Sequence, residues 1–186
     1  MKLNRSTIIA LALLIIICSL YRIIPDRKPG FAPIIAMTIF GGLVIREKVW
    51  AFLLPILSLF ISDCLYQIMY VQGLTKINGF YDGMWSNYLL TAGLTFLPII
   101  FKKMNLINIF VLSVASPTVY FLISNLFVWI GGGGHSHPKT LSGLMQTLVD
   151  GVPFYQWSLL ATVLFSGVFF GAYFLLRRTF VKSTLA

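Results

Sequence analysis

Charge is what this sequence of 186 residues has least of: Asp, Glu, Lys and Arg make up 10% of it, and only five residues are acidic. Soluble domains usually carry about 25% charged residues. That shortage, with 58% hydrophobic residues and a mean hydropathy of +0.89, excludes a water-soluble core. Cysteine is scarce as well. Cys18 and Cys64 both lie inside apolar runs, which excludes a disulfide framework. No Walker phosphate loop, zincin helix or Ser-His-Asp constellation occurs, so no enzyme is expected and no cofactor is implied.

What is present is a succession of apolar runs. At about 20 residues per crossing, the chain has room for roughly six spans and for no separate soluble domain. The expected fold is a single all-α membrane bundle over residues 1–186, with spans at about 7–24, 31–45, 49–71, 85–101, 107–130 and 157–176. Residues 141–154 place Leu141, Leu144, Met145, Leu148 and Val149 at helical spacing but are too polar to cross. They are expected to form a separate amphipathic helix at the membrane surface. The N-terminal stretch resembles the first two regions of a signal peptide without a small-residue cleavage site, and reads as an uncleaved first helix.

The net charge of +9 would suggest nucleic acid in a soluble chain. Here the cations flank the apolar runs, so their expected partners are lipid headgroups and not nucleic acid. Lys2, Arg5, Arg46, Lys48, Lys102, Lys103, Arg177, Arg178 and Lys182 fall on one side of the membrane, whereas Arg22, Arg27, Lys28, Lys76 and Lys139 fall on the other. The positive-inside rule then makes both termini cytoplasmic and turns the first, third and fifth loops outward, as in a bacterial inner membrane protein. These outer loops are the long ones, so function is expected on the outer face.

Asp63 is the acidic residue well inside a span, where a charge is costly unless it meets a partner or a wet cavity. Asn125 reaches a similar depth on the fifth span. The two form either a polar contact that locks helices together or the floor of an outward ligand pocket. Cys64, about 100° around the helix from Asp63, is either a small hydrophobe or a soft ligand for a metal-bearing substrate. His135 and His137 follow four glycines, Gly131 to Gly134. Two histidines are too few for a closed zinc site, so this loop either is solvated or touches a ligand. Phe80, Tyr81, Trp85, Trp129, Phe154, Tyr155 and Trp157 fall at the outer interface, where an aromatic belt and a pocket for a flat ligand use the same residues.

Residues 31–42 (FAPIIAMTIFGG), 54–63 (LPILSLFISD), 121–129 (FLISNLFVW), 137–143 (HPKTLSG) and 152–155 (VPFY) together resemble a functionally uncharacterised family of bacterial six-helix membrane proteins. That family is similar in turn to the S components of energy-coupling-factor vitamin transporters. The resemblance implies a pocket closed by the first, third and fifth loops over a small organic nutrient, probed by Asp63, Cys64, Asn125, Trp129, His135, His137, Tyr81 and Trp85. Similarity to the solitary cobalamin-binding S component implies cobalamin as the leading ligand, with Cys64 as the cobalt ligand. The chain departs from S components that dock to a shared energising module: their Ala-x-x-x-Ala pattern on the first helix is replaced by Ala10 and Ala12, and Ala32 and Ala36 carry the spacing on the second span. An energising transport module is therefore left open as a partner. Two other readings stand beside transport: a structural or assembly protein without ligand, and a His-dependent membrane enzyme.

Overall fold

The computed structural model describes residues 5–101, 103–132 and 135–183, and no strand occurs among them. Lys2, Lys102, Gly133 and Gly134, which entered the charge count and the glycine loop, lie outside the described residues. Six helices follow one another: α1 (Arg5–Arg22), α2 (Ile34–Val44), α3 (Lys48–Val71), α4 (Met84–Phe101), α5 (Leu106–Gly131) and α6 (Leu141–Ser183). Four contain segments long and apolar enough to cross a membrane: Lys48–Val71, Met84–Phe101, Leu106–Gly131 and Leu141–Leu176. The apolar segments Thr7–Arg22 and Ile34–Val44 are shorter.

One expectation is corrected. Residues 141–154 are not a separate surface helix; they are the first turns of α6, which runs through Gly151 and Pro153 without a break. Proline removes one backbone donor and usually stops a helix in water, but helices among other helices tolerate it. Here Thr147 and Gly151 are buried, and α5 packs along α6, so this stretch faces protein on one side and continues the helix.

The centre of the bundle is α2. It is apolar on every side, and every residue of it except Leu43 is buried, the arrangement expected for a helix hydrophobic all round. At 11 residues it is about 16 Å long, roughly half the hydrocarbon thickness. It touches α3, α4, α5 and α6. Between helices in lipid there is little hydrophobic driving force, so close backbone approach through small residues has to supply the packing. A Cβ on Gly41 would lie 2.7 Å from the carbonyl oxygen of Ala51 on α3, and one on Gly42 would overlap the Pro98 ring on α4.

On α3 the buried residues Ala51, Leu54, Pro55, Ser58, Leu59, Ser62, Asp63 and Tyr66 trace one helical stripe. Against it lies α1, whose buried Ser19 donates to the carbonyls of Ile15 at 2.7 Å and Ser58 at 3.0 Å. A polar seam therefore joins α1 to α3 and leads upward to the charged pair described below. At α5, Asn105 caps the start by accepting from the Asn108 N–H at 2.7 Å, and Gly132, at φ 73°, ends the helix in the left-handed conformation.

Gly42→Ala should destabilise the protein by about 1–3 kcal/mol, because neither the rigid Pro98 ring nor the helix backbone can withdraw freely. Gly93→Ala, where a Cβ meets nothing within 4 Å, should be neutral or slightly stabilising. Thermal unfolding of the two variants in the same detergent checks the contrast.

Candidate functional site

Two polar features occupy the end of the bundle that carries the loops after α1, α3 and α5. The first is a closed knot around Asp63. This carboxylate is 1% exposed and pairs through Oδ1 with Arg22 Nη1 of α1. Arg22 also donates to Ser62 Oγ at 2.6 Å, and the Tyr88 hydroxyl of α4 donates to Asp63 Oδ2 at 2.8 Å. Tyr66 lies under the guanidinium, its ring centroid 5.6 Å from Cζ, and its hydroxyl donates to the Arg22 carbonyl at 2.6 Å. Both carboxylate oxygens are thus taken, and α1, α3 and α4 are fastened together.

The loop between α3 and α4 folds back onto this knot. A side chain at Gly79 would overlap the Asp63 carbonyl and the Gln67 backbone, and Gln67 Oε1 accepts from the Phe80 N–H at 3.2 Å. Only a residue without Cβ lets the loop lie so close to α3.

The second feature is open. Between α5 and the first turns of α6 lies a cavity of about 430 Å³, within the range of small-molecule sites. Pro117, Tyr120, Phe121, Ser124, Asn125 and Val128 line it from one stripe of α5. Thr147, Asp150, Gly151, Phe154, Tyr155 and Ser158 face them from α6, and Gly30, His135 and His137 contribute from the loops. The walls are held in register by the Phe121 and Tyr155 rings, 4.7 Å apart, and by a 2.8 Å hydrogen bond between the Thr118 and Tyr155 hydroxyls. Gly151 leaves room for the Asn125 amide: a Cβ there would lie 2.5 Å from Oδ1 and 2.8 Å from Nδ2. The amide in turn donates from Nδ2 to the Phe121 carbonyl at 2.8 Å. At the exposed rim His137 Nε2 and Asp150 Oδ2 are 2.7 Å apart, which ties the fifth loop to α6.

Asn125, His135 and His137 are therefore brought together, while Asp63 and Cys64, which the resemblance groups with them, are not on this wall. Asp63 has Arg22 and Tyr88 as partners, and Asn125 bonds within its own helix, so the expected contact between the two does not form. Cys64 is a half-buried free thiol. Tyr81 reaches the cavity at one remove: it accepts from Asn87 Nδ2 at 3.1 Å, and Asn87 Oδ1 accepts from Tyr120 of the cavity wall at 2.5 Å. Trp129 closes the fifth loop by donating from Nε1 to the Pro138 carbonyl at 2.9 Å, with Lys139 Nζ 5.4 Å from its ring. Trp85 is 75% exposed and leans on Tyr88, as an interfacial aromatic does. Among the described residues no group of three or more His, Cys, Asp and Glu is placed to hold a metal ion.

Arg22 was legible in the sequence, since it falls inside the expected first span of residues 7–24, at the end where Asp63 needs a partner. Asp150 was not, because a carboxylate on an apparent surface helix reads as water-facing. The family comparison covers nearly the whole chain, matching residues 2–184 to DUF6580, a family of unknown function. This chain belongs to the DUF6580 family. No curated protein and no solved structure matches it.

Removing one member of the buried pair leaves the other uncompensated, so Asp63→Asn and Arg22→Met should each cost about 3–5 kcal/mol. The double variant should be much less unstable than the sum of the two. Unfolding of the three variants in detergent reads the coupling; strict additivity would mean the pair contributes nothing.

Proposed function

We propose that this chain binds a small organic nutrient in the α5–α6 cavity and carries it across a bacterial inner membrane. In this reading both termini are cytoplasmic and the cavity opens outward, the plan of an S component. The observation that carries it is a preformed space of about 430 Å³ whose aromatic walls end in a few polar groups, Asn125, His135, His137 and Asp150. Such a combination of apolar surface with convergent hydrogen-bonding groups suits a vitamin-sized molecule.

Within the same proposal the cavity favours a ligand smaller than cobalamin. A corrin ring with its substituents fills a larger volume, and Cys64 stands off the wall where cobalt would need it. The knot at Asp63 supports a structural role for that residue: its carboxylate oxygens are occupied by Arg22 and Tyr88, and none of the three lines the cavity. Binding and bundle integrity are then carried by different residues on the same end of the molecule.

Native mass spectrometry of the protein purified from its own membranes tests the proposal. The wild type is expected to release a non-lipid molecule on denaturation. Gly151→Ala, which pushes the Asn125 amide into the space, should release much less while melting near the wild-type temperature. Phospholipid alone, in equal amount from both, would count against a nutrient site.

A further inference from the structure

The charge of the cavity is opposite to that of the chain. The sequence carries 14 Lys and Arg residues against five acids, yet no described Lys or Arg lines the cavity, whereas one of the five acids, Asp150, does. We infer that the cavity selects a flat organic cation, a ring bearing a protonated amine or amidine; this rests on the proposed reading of the cavity as a ligand site.

Three features converge on a donor-bearing, positively charged ligand. The first is Asp150. With the proton on Nε2, His137 donates to Oδ2 and leaves Oδ1 for a second donor. The second is Asn125, whose Nδ2 is committed to the Phe121 carbonyl while Oδ1 takes no donor among the described residues. Both residues line the cavity, and each keeps an acceptor oxygen that no described residue occupies. The third is the wall of Tyr120, Phe121, Phe154 and Tyr155, whose ring faces attract cations as well as stack on planar groups. An anionic ligand would meet the Asp150 carboxylate and those ring faces, with only His135 and His137 to offset them.

The decisive comparison uses three probes of nearly equal shape, benzamidinium, benzamide and benzoate, on the full chain in lipid nanodiscs. Benzamidinium should raise the melting temperature in a saturable way, benzamide less, and benzoate not at all. Replacing a charge-assisted contact, Asp150→Asn should weaken benzamidinium by about tenfold or more and change benzamide by less than about threefold. Gly151→Ala should weaken both. If benzoate or benzamide binds as well as benzamidinium and Gly151→Ala abolishes that binding, the cavity is a ligand site and the cation preference is wrong. If no probe shifts the melting temperature, or Gly151→Ala leaves every shift unchanged, the proposed reading of the cavity fails together with this inference.

Discussion

Backbone proximity at α2 is the constraint on which the rest of the bundle depends. A helix of 11 residues cannot cross a bilayer by itself, and its backbone ends and apolar flanks must be enclosed by longer neighbours. Gly41 and Gly42 make this possible by letting α3 and α4 approach to the backbone. With α2 enclosed, α5 and α6 pack against it and against each other, and the space between the second half of α5 and the first turns of α6 becomes the cavity.

The polar groups of the same end divide into two classes by what already satisfies them. Arg22, Asp63, Tyr88, Ser62 and Tyr66 consume one another's hydrogen-bonding capacity, as buried charges in an apolar medium must. Their product is mechanical: α1, α3 and α4 are fastened together, with the Gly79 loop seated on the knot. At the cavity, by contrast, capacity is left over, in the Asn125 carbonyl oxygen and in Asp150. Tyr120, Asn87 and Tyr81 join the two regions by hydrogen bonds, so the loop after α3 and the cavity wall are in physical contact through α4.

Much of this architecture is legible in the amino-acid sequence. Apolar run length and flanking cations place α1 to α5 to within a few residues, because hydropathy is a one-dimensional signal, whereas α6 begins well before the expected span of residues 157–176. The continuity of α6 was hidden: Gly151 and Pro153 are helix breakers in water, yet α6 runs through both where Gly151 is buried and α5 packs alongside. Asn125, His135 and His137 were legible as polar groups on adjoining elements. The partner of Asp63 was visible as Arg22 but was assigned to topology, since flanking position and helix depth compete for the same cation. What no sequence pattern conveys is which face of α5 meets which face of α6, and therefore that Asp150, and not Asp63, supplies the carboxylate of the cavity.

The proposed function requires the space between α5 and α6 to hold a ligand. An experimental structure of the protein, purified from its own membranes into nanodiscs without added compounds, tests this most directly. Compact non-lipid density in that space, against the Tyr120, Phe121 and Phe154 side chains and within hydrogen-bond reach of Asn125 or Asp150, is the expected result. A lipid acyl chain continuous with the bilayer in that space, or α5 and α6 side chains collapsed to fill it, would contradict the account.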